Sequence, residues 1–166
     1  MKCNRLLILS SLFIACAIVS CSKQDALTPV VDDPPKPLSI SLQEDSISVY
    51  LPITVARAES IASVSATALE GKLPDSVSRK NNIIIRVTGD SARTYSKTEV
   101  LVNYTDSTGM NFSSNAADTI NKVTLTRVEK KKNGLVEGSF TIRVSNSTKT
   151  KTLLLTNGKI LTAFTD

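Results

Sequence analysis

The chain has 166 residues, 20 basic and 15 acidic side chains, a net charge of +5 and no histidine. Its cysteines are Cys3, Cys16 and Cys21, so no thiol lies beyond residue 21. Beyond that point the chain lacks the side chains of Cys–His nucleophile pairs and of the usual zinc, copper and non-haem iron sites. We therefore predict no metal and no cofactor.

The first twenty residues have the pattern of a cleaved secretion signal. Lys2 and Arg5 supply positive charge, and the run from Leu6 to Val19 is apolar apart from two serines. A helix of that length reaches about 21 Å, short of the ~30 Å hydrocarbon core of a bilayer. The pattern is typical of a segment removed after export and not of a permanent span.

The signal ends in Ile18-Val19-Ser20-Cys21, which resembles the lipobox of bacterial lipoproteins. The resemblance implies that the Cys21 thiol receives a diacylglycerol, that cleavage precedes it, and that the new amino terminus is acylated. Two or three acyl chains hold a protein firmly on a bilayer. Ser22 is permissive for outer-membrane sorting, so we expect an outer-membrane anchor facing the periplasm or the cell surface. An ordinary secretory signal with an incidental cysteine is the alternative.

Residues 21–38 are predicted to form the lipidated cysteine and a linker. Four of the six prolines lie here, namely Pro29, Pro34, Pro35 and Pro37. Proline fixes φ, and such segments favour extended conformations of roughly 3.1 Å per residue. After cleavage the chain keeps 18 basic against 15 acidic residues, too small an excess to indicate nucleic-acid binding.

Residues 39–166 are predicted to form one all-β domain, an antiparallel β-sandwich or open barrel of eight or nine strands. Apolar and polar residues alternate along most of this part. The apolar sets predicted to share a face are Ile47, Val49, Leu51, Ile53 and Val55; Ile83, Ile85 and Val87; Val100, Val102 and Tyr104; and Val136, Phe140, Ile142 and Val144.

Two Asn-Gly pairs are predicted to be hairpin turns of type I′. Asn133-Gly134 would join 122–132 to 135–145, and Asn157-Gly158 would join 151–156 to 159–164. The stretch from Ala56 to Leu69 has enough alanine for a helix, but its alternation favours a strand.

The C-terminal third carries a family resemblance. Val123-Thr124-Leu125-Thr126, then Val136-Glu137-Gly138-Ser139-Phe140, then Leu155-Thr156-Asn157-Gly158-Lys159 resemble a pattern of uncharacterised lipoproteins of Bacteroidota-type bacteria. The resemblance covers much of residues 56–166 and implies a β domain at the cell envelope. It implies no catalytic residues. This chain departs from the pattern where relatives carry a tryptophan, because it has none.

Carboxylates are the remaining acid–base groups. Glu44 and Asp45 are adjacent and would point to opposite faces of a strand, whereas Glu99 and Glu129 could approach across strands. Ser96-Lys97 precedes a strand and lacks the helix start of a Ser-x-x-Lys site. We predict no catalytic residue.

Three polar segments have structural or modification roles in our interpretation. The segment Asp106–Asn111 lacks the acidic ladder of a calcium loop and is predicted to be an Asx-type turn. Lys130-Lys131-Lys132 is predicted at a hairpin tip, where lysine keeps the edge soluble and unpaired. The alternative is that these lysines bind anionic lipid or polysaccharide. Five Asp-Ser/Thr-apolar matches resemble O-glycosylation acceptors of Bacteroidota-type exported proteins, at Ser46, Ser76, Ser91, Ser107 and Thr119.

The sequence leaves three functions open. The first is a lipid-anchored, non-enzymatic envelope protein whose β domain binds or scaffolds an envelope protein or glycan. The second is an envelope hydrolase that uses a carboxylate pair. The third is a small-ligand carrier with a cavity inside a barrel.

Overall fold

The computed structural model describes residues 36–61 and 63–165. The predicted signal, Cys21 and most of the predicted linker lie outside these described residues. Within them, eleven β-strands and one short 3-10 turn (Lys97–Glu99) confirm the all-β prediction. The strands are β1 Ser39–Glu44, β2 Ile47–Leu51, β3 Ile53–Ile61, β4 Val64–Lys72, β5 Asn82–Val87, β6 Thr94–Ser96, β7 Val100–Thr105, β8 Asn111–Ser114, β9 Lys122–Val128, β10 Leu135–Asn146 and β11 Thr152–Ala163.

The strands form one antiparallel sheet that curls into a nearly closed barrel. Nine of them follow the order β2-β1-β11-β10-β8-β7-β5-β4-β3. The sheet closes where β3 meets the end of β11, through a bridge between Ala56 and Phe164 and a 3.2 Å bond from the Thr165 N–H to the Ala56 carbonyl. The prediction of an antiparallel sandwich or open barrel is therefore confirmed. Of these two forms, the structure has the barrel.

The sheet branches at the long strand β10. The C-terminal end of β10 pairs with β8, whereas its N-terminal half pairs with β9, which in turn pairs with β6. The short strands β6 and β8 had no clear alternation in the sequence. They account for part of the difference between the eight or nine predicted strands and the eleven observed.

The interior is filled by apolar side chains. Three predicted faces are confirmed, because Ile83, Val100 and Ile142 and their alternating neighbours are buried in one cluster. The predicted face from Ile47 to Val55 is wrong in part: Val49 and Leu51 are buried, but Ile53 is 40% exposed. Pro52 separates β2 from β3 and shifts the alternation, so that Ala56 is the next buried residue.

The stretch from Ala56 to Leu69 is extended on both sides of position 62, as predicted, but it is not one strand. Ile61 pairs with Val64, so β3 and β4 form an antiparallel hairpin. Small alanine side chains on this hairpin allow close packing, since Ala56, Ala66 and Ala68 are buried.

The predicted turn at Asn157-Gly158 is wrong. Both residues lie inside β11, where Asn157 has a φ of 50° and forms a β-bulge against β1 and β10. A strand flanked by two partners makes ladder bonds on both edges, which a hairpin in the same segment would lose. The bulge also places Gly158 opposite the ring of Phe140.

The hairpin of β9 and β10 is confirmed, but Asn133-Gly134 is not a two-residue turn. Six residues connect these strands, and Asn133 and Gly134 pair with Phe164 through bonds of 2.9 Å each. The turn with positive φ at both central positions is instead Asp45-Ser46, between β1 and β2.

Candidate functional site

A polar network lies at the end of the barrel to which β1 runs. Glu44 continues the inward-facing set of Ile40 and Leu42, and its Oε2 accepts a 2.7 Å bond from the Tyr104 hydroxyl. The Tyr104 oxygen accepts a 2.9 Å bond from Asn81 Nδ2. Tyr104 and Asn81 are 1% and 2% exposed, so these two members of the network are buried at this end of the core.

The network fixes the orientation of the Asn81 amide. Burial raises the pKa of Tyr104, and the hydrogen bond to Glu44 raises it further, so the phenol stays protonated. A carboxylate has no proton to give, so Tyr104 donates to Glu44 and accepts from the Asn81 amide group. The Asn81 Oδ1 then faces away from Tyr104, and it has no partner within the described part of the chain.

The turn between β7 and β8 adjoins this network and is organised by Asp106. Its buried Oδ1 accepts bonds from the Thr108 hydroxyl at 2.6 Å, the Thr108 N–H at 2.9 Å and the Met110 N–H at 3.0 Å. Burial opposes ionisation, but these bonds and the Lys151 ammonium at 3.4 Å hold the pKa of Asp106 below its usual value. The predicted Asx-type turn is confirmed.

A cavity of about 160 Å³ lies under the connection between β4 and β5. Its lining includes Asn81 and Asn82. Asn82 Oδ1 is a second buried acceptor without a partner in residues 36–61 and 63–165. Lys80 of this connection lies near Gly109, so the cavity and the Asp106 turn are neighbours. Because its lining comes from the connection between β4 and β5 and the adjoining ends of these strands, the cavity lies outside the apolar core of the barrel.

The cavity is lined by more positive than negative charge. Lys72, Arg79 and Lys80 contribute three cations, and Asp75 contributes the one anion of the lining. Asp75 lies 3.9 Å from Lys72, but its side chain is 95% exposed. An exposed pair of this kind neutralises little of the local field.

Glu99 and Glu129, the acids that could approach across strands, each form an ion pair with a different arginine. Glu99 accepts from Arg93 at 2.8 Å, and Glu129 accepts from Arg127 at 2.6 Å. These bonds hold the pKa of both carboxyls below its usual value, whereas a general acid needs a raised pKa. The side chains of Glu44 and Asp45 also point in different directions, because Glu44 faces inward at the end of β1 and Asp45 lies in the turn that follows. The geometry does not favour a hydrolase built on these acids.

The other candidate residues lie on the surface of the barrel. Ser96-Lys97 lies at the start of the 3-10 turn, where the Ser96 N–H donates a hydrogen bond to the Glu99 carboxylate. The three lysines lie in the connection of β9 and β10, as predicted, and Lys130 bonds to Asp90 at 2.6 Å. The five acceptor hydroxyls are all exposed and lie between strands: Ser46, Ser76, Ser91, Ser107 and Thr119. Cys21 lies outside the described residues.

Sequence reasoning did not find Asn81, Asn82 or Tyr104 as site residues. Tyr104 was assigned to a buried face, which is correct, but its hydroxyl partner is sixty residues away along the chain. Two asparagines before an apolar strand are an ordinary loop signal. No local pattern indicates that one of them is buried.

No family model matches the chain, and comparisons with curated proteins and with solved structures gave no match. Within residues 36–61 and 63–165, no helix is long and apolar enough to cross a membrane. Over the same residues, no group of three or more His, Cys, Asp or Glu side chains is placed to hold a metal ion.

Proposed function

We propose that this protein is an outer-membrane lipoprotein, anchored through Cys21, whose β domain binds an envelope component without catalysing a reaction. As part of this proposal, the protein is a member of the uncharacterised lipoproteins of Bacteroidota-type bacteria that its C-terminal third resembles. The lipobox supports the anchor, and the cavity of the β4–β5 connection with its positively charged lining supports binding. A carrier function is less well supported, because the described cavity is outside the barrel.

The direction of β1 is the observation that carries the proposal. Ser39 pairs with Leu161 near the C-terminal end of β11, and Glu44 pairs with Leu155 and bonds to Tyr104. The strand therefore runs from Ser39, near the end of β11, towards the polar end beside the cavity. The polar end and the cavity of the β4–β5 connection therefore form one continuous region of the domain, which we propose as the binding end.

Among chains cleaved before residue 21, replacing Cys21 with alanine is expected to move the protein almost completely from the detergent phase to the aqueous phase. Acyl chains contribute roughly 0.8 kcal/mol per buried CH₂, and their loss leaves no comparable anchor in this proposal. Detergent phase partitioning of cell extracts, with immunoblotting, measures the distribution. Cys16→Ala, which changes a cysteine but keeps the lipobox, is the matched control. The immunoblot also separates cleaved from uncleaved chains by size, and a cleaved Cys21→Ala protein that stays in the detergent phase would contradict the anchor.

We also propose that the exposed hydroxyls of Ser46, Ser76, Ser91, Ser107 and Thr119 accept O-linked glycans in the native host. Their exposure in connections between strands leaves room for an enzyme and a sugar. Intact-mass measurement of the protein from its host is expected to exceed the lipidated polypeptide by whole glycan masses, each lost with one Ser→Ala or Thr→Ala change. Unmodified peptides at all five positions would refute the modification.

A further inference from the structure

We propose that the end of the barrel that carries Lys130, Lys131 and Lys132 is a docking surface for the anionic headgroups of the bilayer in which the protein is anchored. This inference rests on the proposed lipid anchor at Cys21 and adds the face of the domain that contacts the membrane. Three observations carry it: the place where the chain enters the domain, the unpaired charge of two lysines, and exposed apolar side chains beside them.

The chain enters the domain at the end of the barrel where the three lysines lie. Ser39, the first residue of β1, pairs with Leu161 near the C-terminal end of β11. The connection of β9 and β10, which contains the lysines, is bonded to Phe164 just after β11, through Asn133 and Gly134. A domain joined at this end can bring the lysines to a surface without the preceding chain passing along the barrel.

The length of chain between the proposed anchor and the domain keeps the lysines near the bilayer. Residues 21–36 span at most ~50 Å even when fully extended. A surface tethered by a short linker has a local concentration in the millimolar range, so weak attraction is enough to hold it. Each lysine close to an anionic leaflet adds to that attraction, and no deep pocket is needed.

Two of the lysines carry charge that no ion pair of the domain neutralises. Lys131 and Lys132 are exposed, and in the part of the chain that the structure describes neither has an ion-pair partner. Glu129, the acid that precedes them, is already paired with Arg127 at 2.6 Å. Phosphate groups of anionic lipids would supply the missing negative charge.

Exposed apolar side chains beside the lysines favour a lipid surface over a soluble polyanion. Lys130 Nζ and the Ser65 hydroxyl donate to the same oxygen of Asp90, at 2.6 Å and 3.0 Å. Val64, the neighbour of Ser65, is 50% exposed, and Leu38, directly before β1, is 37% exposed. Apolar side chains gain by entering the headgroup boundary while lysine ammonium groups stay with the phosphates.

The test is lysine footprinting of the lipidated protein in preformed vesicles. The vesicles contain phosphatidylcholine alone or with phosphatidylglycerol, and an amine-acetylating reagent with mass spectrometry gives the reaction rate of each lysine. Lys130, Lys131 and Lys132 are expected to react about threefold more slowly in the anionic vesicles, and high salt should remove the difference. Lys149, which is exposed at the opposite end of β10, should react alike in both and reports any general change in reactivity.

Matched variants test whether the lysine charge holds the surface on the bilayer. In Lys131→Gln/Lys132→Gln, Lys130 remains as the reporter, and its protection by anionic vesicles should be lost. Lys149→Gln/Lys159→Gln removes the same charge from other exposed positions, and Lys130 should stay as protected as in the wild type. Protection of Lys130 that persists in Lys131→Gln/Lys132→Gln would overturn the proposal.

Two results with the wild type would also overturn the docking surface: equal reactivity of the three lysines in both kinds of vesicle, or equal protection of Lys149. Protection that appears only when an anionic polysaccharide is added to neutral vesicles would assign the lysines to a glycan instead of lipid. Flotation on a density gradient separates these outcomes from failure of the anchor. A protein that floats with both vesicles keeps its anchor, whereas one that floats with neither overturns the proposed anchor and this inference with it.

Discussion

Gly158→Ala is expected to lower the free energy of unfolding by about 2–3 kcal/mol. A Cβ at this position would lie 2.5 Å from Cγ and Cδ2 of Phe140, closer than real carbon atoms approach. Phe140 is 4% exposed and packed in the core, so its ring cannot move away without disturbing neighbours. Urea unfolding of the purified protein, followed by circular dichroism, measures the loss.

A double-mutant cycle identifies the contact responsible. Phe140→Leu alone destabilises the core, but in that background Gly158→Ala should cost less than in the wild type because the ring is gone. Additive losses, or a Gly158→Ala protein within about 0.5 kcal/mol of the wild type, would show that the ring does not pack on Gly158.

Asp106→Ala is expected to cost about 2–4 kcal/mol at neutral pH, because it leaves three donors of the β7–β8 turn without their acceptor. The Asp106 side chain is 3% exposed, so water cannot easily replace the carboxylate. Asp106→Asn keeps one acceptor oxygen and should lose less. Asp75→Asn is the control, since that side chain is 95% exposed, and should change stability little.

The loss in Asp106→Ala should also depend on pH. The pKa of Asp106 is lowered in the folded protein, so its ionised form contributes stability above the unfolded pKa of about 3.9. That contribution disappears as pH falls through the folded pKa. The stability gap between wild type and Asp106→Ala should therefore narrow from pH 6 towards about pH 2. A constant gap would mean that the ionised carboxylate is not what holds the turn.

The confirmed strands were those whose alternation matches burial on one face. Val100, Val102 and Tyr104 alternate with exposed Leu101 and Asn103, and the pattern alone assigned the face correctly. The prediction failed at Pro52, where a single residue shifts the alternation between two strands. Apolar periodicity identifies a strand but not the residue at which it leaves one neighbour for another.

The two Asn-Gly pairs show why turn signals are less reliable than alternation. A type I′ turn needs two residues with positive φ, and Asn157 does have a φ of 50°. That conformation serves a bulge in β11, because β1 and β10 pair on either side of it. The turn preference describes two residues, whereas the strand pairing involves distant parts of the chain.

By itself, the sequence determined the class of the fold, an all-β domain, and the absence of histidine and of any thiol beyond Cys21. The lipobox signal and the proline-rich linker stay predictions from the sequence. These properties depend on residue types and short-range periodicity. The tertiary structure alone decided the closure of the barrel, the branch at β10 and the contact of Tyr104 with Glu44 and Asn81. Such contacts join residues far apart in the chain, and burial of an asparagine oxygen depends on what packs around it.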